Sequence, residues 1–361
     1  MAEPGKKRPV HQLVNHLSRG DAIGHDVLTI QDRLRAEGRS SEIFCLHHGP
    51  GLAGRHRPVS SFMDSCAPED VILWHFSIGT SLFDLAAGFN GKVVMRYHNI
   101  TPYQYFTGIN PQLELDCRVG RIQLARAARF VNLAIGDSAY NQNELDELGY
   151  INTGNCPIML DLAKYAPVQP PARLAHLAQG GPNILHVGRF MPQKRYEDLI
   201  RTFHFLRKIK PEAKLILVGG WDGLEIYQAC LGELVESLDP DNVIFTGRVS
   251  DADLRAIFGL CQVYLCLSEH EGFCVPLVEA MKMDLPVVAK RSTAVGETLG
   301  HAGVLLDYYS PSHAAEVIAA LVDDRDRLRE VRWSQQRRLE DFAPDKVWTR
   351  FRSLLDQVAE A

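Results

Sequence analysis

The sequence lacks any stretch approaching the roughly eighteen consecutive apolar residues of a membrane span, which argues against a transmembrane protein. Behind Met1 to Pro9 there is no apolar run long enough for a secretory leader. Charge of one sign is missing too. Lys plus Arg is 39 and Asp plus Glu is 44, a net charge of −5. Up to Tyr165 there are 16 basic and 17 acidic residues, leaving 23 and 27 for the remainder. Neither half has the excess of cations that grips a phosphate backbone, so no nucleic-acid partner is expected. There is no Cys-x-x-Cys pair. The eight cysteines stand singly at 45, 66, 117, 156, 230, 261, 266 and 274. A chain this long needs no disulfides, and buried free thiols in a reducing cytosol are the simplest reading. Cys261 and Cys266 flank Val263–Leu265 and read as strand packing.

What is present is length, apolar content and alternation. The 361 residues suit roughly two domains. An apolar share of 46% with 23% charged residues is ordinary for a globular chain. Short apolar runs at Val10–Val14, Glu42–Leu46, Val71–Trp74, Val93–Tyr97 and Leu133–Ile135 alternate with amphipathic stretches. In one of these Val27, Ile30 and Leu34 share a face and Gly38 supplies a stop. Another runs from about Gln112 to Phe130. Such alternation predicts parallel sheets covered on both faces. It pauses over Ala166–Gly181, where three prolines and two glycines fall in sixteen residues, the composition of a linker. It then restarts at Ile184–Val187 and continues through Leu215–Val218, Val243–Phe245, Val263–Leu267, Val287–Ala289 and Val304–Leu306. From about His313 to Val358 the pattern is helical throughout. The expected architecture is α/β: two Rossmann-like domains facing a cleft, over 1–165 and 182–340, with a linker at 166–181. The helix of 341–361 is expected to cross back onto the first domain.

The segment with most chemical content is Ser268–Met283, SEHEGFCVPLVEAMKM. A strand ends near Leu267 and a helix begins near Pro276, a favoured first-turn residue. Glu271 lies at the open mouth of that helix and Glu279 about one turn inside it. A helix start attracts phosphate. Carboxylates beside a phosphate need hydrogen-bond donors, and sugar hydroxyls supply them; the alternative is two surface glutamates that the helix dipole favours anyway. Upstream, Ile184–Arg195 reads ILHVGRFMPQKR. Arg189 and Lys194, just past a strand end, suit a clamp on a diphosphate, or simply a solvated loop. In Phe245–Leu254, FTGRVSDADL, the acids Asp251 and Asp253 match an Asp-x-Asp metal motif, but capping by Ser250 and Asp251 explains them without a metal. Asp239-Pro240-Asp241 reads as a turn. Asp137 or Ser138 is expected to cap the helix containing Leu145. His47 and His48 have no partners at metal-ligand spacing.

Glu271-x7-Glu279 set in EGFCVPLVEAM resembles the donor-site motif of retaining GT-B glycosyltransferases of glycosyltransferase family 4. The resemblance implies a metal-independent hexosyltransferase that needs no cofactor and uses a nucleotide diphosphate sugar. It places Glu271 against the donor sugar, Glu279 on the ribose hydroxyls, and the amides of Gly272, Phe273, Cys274 and Val275 on sugar and pyrophosphate. Gly188, Arg189 and Lys194 match the Gly-Arg and following Lys of the first loop in the second domain, where the cations stabilise the departing diphosphate. Gly247, Arg248 and Val249 fall on the nucleobase side. Gly20 and Asp21 match the glycine loop over the donor phosphates, although the family version often shows two adjacent glycines. His98 matches the histidine that touches the donor sugar near the reacting carbon. Asn99, Thr101, Tyr103 and Tyr105 are candidates for an acceptor groove, since aromatic faces stack on sugars.

In the front-face mechanism proposed for this class, the leaving phosphate takes the acceptor's proton, and domain closure excludes water. The pattern looks like bacterial mannosyl- and rhamnosyltransferases of surface-polysaccharide assembly. It implies a GDP-hexose donor, with a UDP-sugar as the alternative, and a glycan or lipid-linked acceptor. Such a protein works in the cytoplasm, at the inner membrane face, where Lys6-Lys7-Arg8 would assist peripheral contact. A nucleotide-sugar 2-epimerase or a non-catalytic sugar-binding protein are the competing readings.

Overall fold

The computed structural model describes residues 7–238 and 241–360, so Lys6 of the basic cluster and Asp239-Pro240 of the expected turn lie outside the described residues. The chain forms two compact units. The first takes the described residues up to Tyr103, then Gln112–Leu160, then the chain from Phe342 onward. The second takes Gln104–Pro111 and Asp161–Asp341. This corrects the division drawn from composition. The boundary falls after Leu160 rather than Tyr165, and an eight-residue excursion, 104–111, joins the second unit. The proline-rich stretch is also structured: Ala172–Ala178 forms a 3-10 helix that buries Leu177.

In the first unit β1 (Val10–Leu17), α1 (Ala22–Ala36), β2 (Ile43–His48), β3 (Arg57–Pro58), α2 (Phe62–Ser65), β4 (Val71–Phe76), α3 (Leu82–Ala87) and β5 (Lys92–Tyr97) come first. Then follow α4 (Pro111–Ala127), β6 (Leu133–Gly136), α5 (Ala139–Glu147) and β7 (Thr153–Asn155). The seven strands form one sheet in the order β3-β2-β1-β4-β5-β6-β7, and every pairing is parallel. The two-residue β3 and three-residue β7 edges carry no apolar run, so periodicity does not find them. Every residue of β4 is buried, as a parallel strand covered on both faces requires.

In the second unit β8 (Asn183–Val187), α6 (Tyr196–Ile209), β9 (Lys214–Val218), α7 (Glu225–Leu238), β10 (Val243–Gly247), α8 (Asp251–Leu260) and β11 (Val263–Cys266) alternate. They continue with α9 (Val275–Lys282), β12 (Val287–Lys290), α10 (Val295–Leu299), β13 (Val304–Leu306), α11 (Pro311–Asp323) and α12 (Arg325–Leu339). The sheet order is β10-β9-β8-β11-β12-β13, again wholly parallel. Leu199, Phe203 and Leu206 of α6 pack into a core with Leu215, Leu217 and Leu265 of the strands and Ile318 of α11. The last helix, α13 (Pro344–Ala359), lays Val347, Trp348, Phe351 and Leu355 on Val10, Val71, Val94 and Ile135 of the first sheet. Trp348 Nε1 also donates to Glu37 Oε1 at 2.7 Å.

Strand order reverses beside β1, between β2 and β4, and beside β8, between β9 and β11. In open parallel sheets the crevice outside the strand C-termini at such a reversal is where ligands bind. The loops that matter are therefore those after β1 and β4 in one unit, and after β8 and β11 in the other.

Candidate active site

In the second unit the loop after β8 carries Gly188, Arg189 and a 3-10 turn, Pro192–Lys194. The loop after β11 carries Ser268 to Glu271. The Glu269 N–H donates to the Gln193 carbonyl at 2.8 Å and fastens the two loops together. Lys194 Nζ donates to Glu271 Oε1 at 2.7 Å, and Ser268 Oγ donates to the same oxygen at 2.8 Å. The Glu271 N–H is held by Thr293 Oγ1 at 2.9 Å. Side-chain exposure is only 14% for Lys194 and 13% for Glu271, so this pair works in low dielectric. Burial alone would raise the Glu271 carboxyl, but the ammonium of Lys194 and the hydrogen bonds from Lys194 and Ser268 hold it below the usual carboxylate range. Burial would likewise lower Lys194, and the Glu271 charge holds it above its ordinary value. Both groups are therefore charged at neutral pH. Gly188 leaves room for the lysine: a Cβ there would sit 3.0 Å from Lys194 Cδ and Cε.

Past Glu271 the chain turns through Gly272, Phe273 and Cys274 into α9. Cys274 is the residue before the first turn, with φ 72° and ψ 64°. Left-handed backbone at a residue with a Cβ costs about 1–2 kcal/mol, and such strain concentrates at functional sites. Thr298 Oγ1 pins the Phe273 carbonyl at 2.5 Å. The turn thereby leads into the positive end of a helix beside a buried ion pair, an arrangement suited to a phosphate and its attached sugar.

Glu279 is buried one turn inside α9, and Tyr165 Oη donates to its Oε1. Burial raises the Glu279 carboxyl, and the Tyr165 hydrogen bond opposes that rise. Sequence reasoning used Tyr165 only as a boundary marker; a single tyrosine beside a linker carries no signal of its partner 114 positions away. Beside this contact lies a pocket of about 140 Å³ lined by Lys164, Tyr165, Asp251, Leu254 and Arg255. On the β10 side Gly247 takes φ 68°, and Arg248 is exposed and ion-paired with Asp222 at 2.5 Å. Arg189 is exposed and donates to the Asp222 carbonyl at 2.8 Å. Ser250, not Asp251, caps α8, accepting from the Asp253 N–H at 3.1 Å, and Asp253 pairs with Arg173.

The first unit's reversal point is built differently. Gly20 lies in the loop after β1, and Asp21 caps α1 by accepting from the Gly24 N–H at 2.6 Å. Gly24 is obligatory, since a Cβ there would lie 1.7 Å from the Ser18 carbonyl oxygen. Asp21 thus has a structural task, and its charge is unsuited to a second contact with phosphate.

His98 stands at the end of β5, but its side chain is 1% exposed. Gln12 Nε2 donates to the Val27 carbonyl at 3.0 Å, which turns Gln12 Oε1 towards His75 Nε2 at 2.9 Å. His75 Nδ1 then accepts from His98 Nε2 at 2.9 Å, and His98 Nδ1 donates to Asp137 Oδ2 at 2.9 Å. Burial holds His75 well below its ordinary value, so it is the neutral ring. Arg96 completes the group, with Nε on Asp26 at 3.1 Å and Nη2 on Asp137 at 3.0 Å. Both ring nitrogens of His98 thus have protein partners in this structure, His75 and Asp137. Of the two expected caps for α5, Ser138 is the one that accepts, from the Asn141 N–H at 3.2 Å, while Asp137 belongs to this cluster.

Asp26, His75 and His98 are the one set of three potential metal ligands among the described residues with donor atoms mutually within 4.8 Å. Their atoms are engaged with one another, Gln12, Asp137 and Arg96, and a cation would have to displace that guanidinium.

Of the expected acceptor residues, Tyr103 and Tyr105 share a short 3-10 helix, Tyr103–Phe106. Asn99, at φ 70°, donates to Asn141 Oδ1 at 2.8 Å, and Tyr103 lies under Arg118 with the guanidinium 3.8 Å from its ring centre. Tyr105 belongs to the second unit and donates to Glu269 Oε2 at 3.1 Å. Thr101 is half-buried beyond β5. Nor are all cysteines buried: Cys230 is exposed and Cys66 half-buried, and all eight are free thiols.

Residues 174–339 match the family described as Glycosyl transferases group 1. The chain is 30% identical over 145 residues to the O-antigen chain mannosyltransferase B of Escherichia coli, covering 39% of this chain and 37% of that protein. It is 29% identical over 155 residues to a GDP-mannose-dependent alpha-(1-6)-phosphatidylinositol monomannoside mannosyltransferase of Mycobacterium tuberculosis, covering 40% of each. It therefore spans well under half the length of these relatives. Among solved structures, Anabaena HepE in complex with UDP and glucose superposes with a TM-score of 0.78 at 18% identity, over 97% of this chain and all of that one. Sucrose-phosphate synthase from Thermosynechococcus elongatus superposes at 0.73 with 17% identity, over 97% of this chain and 99% of that one. The fold is thus that of GT-B proteins, two parallel-sheet Rossmann-like units. Residues 174–339, within the second unit, are similar to a glycosyl transferases group 1 domain.

Proposed function

We propose that the protein is a retaining hexosyltransferase that moves a mannosyl or related group from a GDP-sugar to a glycan or lipid-linked acceptor in surface-polysaccharide or glycoconjugate synthesis. The observation that carries this reading is the buried Lys194–Glu271 pair at the β8/β11 reversal point, beside the turn into α9. A cation held charged in low dielectric stabilises negative charge on a departing diphosphate, an effect worth about 3–4 kcal/mol per donor in comparable sites. Glu271, whose carboxylate stays ionised, accepts from sugar hydroxyls and faces positive charge developing at the anomeric carbon. Glu279 accepts from the ribose.

A guanine base in the pocket beside Tyr165 is part of this reading. Asp251 on its wall offers a carboxylate to the adjacent N1–H and N2–H donors of guanine, whereas uracil presents one N–H between two carbonyl oxygens. The mannosyltransferase relatives agree with that preference. No step requires a metal, because lysine and helix start supply the positive charge. None of the described helices is long and apolar enough to cross a membrane.

The test is nucleotide release from GDP-mannose, UDP-glucose and ADP-glucose, with and without an oligosaccharide or polyprenyl-linked acceptor. Acceptor-dependent release of GDP with retained anomeric configuration is expected. Conversion of donor to a sugar epimer, or binding without turnover, would replace this reading.

A further inference from the structure

The turn that leads into α9 contains a thiol pair that glycosyl transfer does not use. Cys266 closes β11, Cys274 precedes the first turn of α9, and their sulfur atoms lie 3.9 Å apart. Cys266 Sγ also lies 3.5 Å from Ser268 Oγ, whose hydroxyl holds Glu271. Two features set this pair apart from the other cysteines. Cys274 occupies left-handed backbone, where glycine would sit without strain, so a thiol here is retained against a local cost. The Cys266 contact, burial and the Glu271 charge together hold the Cys274 thiol well above its ordinary value, and the Lys194 charge acts against them. The hydrogen bond from Cys274 further holds the Cys266 thiol below its ordinary value.

We propose that Cys266 and Cys274 form a reversible oxidation site for hydrogen peroxide that closes the donor pocket. One thiolate attacks a peroxide oxygen, the O–O bond breaks, and the sulfur becomes a sulfenic acid while the other oxygen leaves as water with the thiol's proton. The second thiol then attacks the sulfenic sulfur, the S–OH bond breaks, and a second water departs. Two thiols are oxidised by two electrons and one peroxide is reduced. A disulfide needs sulfurs at about 2.05 Å. β11 is fixed between β8 and β12, so the turn Gly272–Cys274 must move inward. Its amides then leave the positions that the family resemblance implies for sugar and pyrophosphate, and a displacement near 1 Å can cost about 10²-fold in rate. The control of transfer rests on that functional reading; the disulfide itself does not.

The test treats the purified full-length protein with hydrogen peroxide, blocks remaining thiols, and maps peptides without reduction. The expected result is a peptide pair joining Cys266 to Cys274, a loss of transfer of at least about tenfold, and recovery of both on adding dithiothreitol. Cys266→Ser, with Cys266→Ala as a second variant, is expected to keep basal transfer and resist peroxide. Absence of the linked peptides when exposed Cys230 is already oxidised would overturn the proposal. Equal inactivation of the Cys266 variants would overturn it as well, as would a fully linked protein with unchanged transfer. A linked protein that turns over no nucleotide sugar even after reduction would instead count against the glycosyltransferase reading.

Discussion

The two units reverse strand order in the same way yet treat charge at that point oppositely. Beside β8, Lys194 and Glu271 form a largely buried pair at the end of two loops, with a helix start next to it. Near β1, Arg96, Asp26, Asp137, His98 and His75 form a closed group whose side chains answer one another. The first arrangement leaves a charge to be completed by a ligand. The second is complete and holds the ends of β1, β4 and β5 to α1. A shared topology thus fixes where a ligand can sit, while the satisfaction of the local charges decides which unit presents its own to one.

The largest effect should come from opening the pair in the second unit. Lys194→Ala is expected to lower transfer about 10²- to 10³-fold in steady-state assays, as loss of one preorganised donor typically does. Retention of more than half the wild-type rate would erase the contrast between the units. Next, Asp137→Asn leaves Arg96 short of a partner in full burial and should destabilise the protein by about 3–5 kcal/mol in urea unfolding. An unchanged midpoint would show that the first unit's cluster is not a closed charge group.

Tyr165→Phe should raise the donor KM by about five- to tenfold with little change in kcat, the scale of one lost hydrogen bond to a charged group. Donor binding needs Glu279 ionised. Its carboxyl is raised by burial and lowered by Tyr165, so removing the hydroxyl should move the acid limb of donor binding to higher pH. In a Glu279→Gln background the same substitution should add nothing, a coupling that a double-mutant cycle measures. The smallest effect concerns pH and stability. Glu271 is held below the carboxylate range, so its contribution is full above about pH 4.3 and fades as pH falls through its native value. Wild type should therefore lose stability below that pH more steeply than Glu271→Gln.

Much of this was legible in the sequence, for reasons that particular residues make clear. The strands of both sheets announce themselves because parallel strands buried on two faces are continuous apolar runs, as in Val71–Phe76. Lys194, Glu271 and Glu279 are legible because each follows a strand or starts a helix at fixed spacing. What escaped depends on contacts between distant positions. Tyr165 meets Glu279 only after folding. His98 looks ligand-facing at a strand end, and only the placement of Gln12, His75 and Asp137 shows that its ring is taken. Nothing local to Tyr105 announces its contact with Glu269, 164 positions away. Cys266 reads as strand packing until the left-handed turn brings Cys274 beside it.

Calorimetric titration of GDP into wild-type protein and into Lys194→Ala tests the central claim most directly. The account predicts saturable one-to-one binding to wild type, tighter for GDP than for UDP, and at least tenfold weaker binding to the variant. Equal affinity of GDP for the two proteins, with the variant still folded, would contradict it.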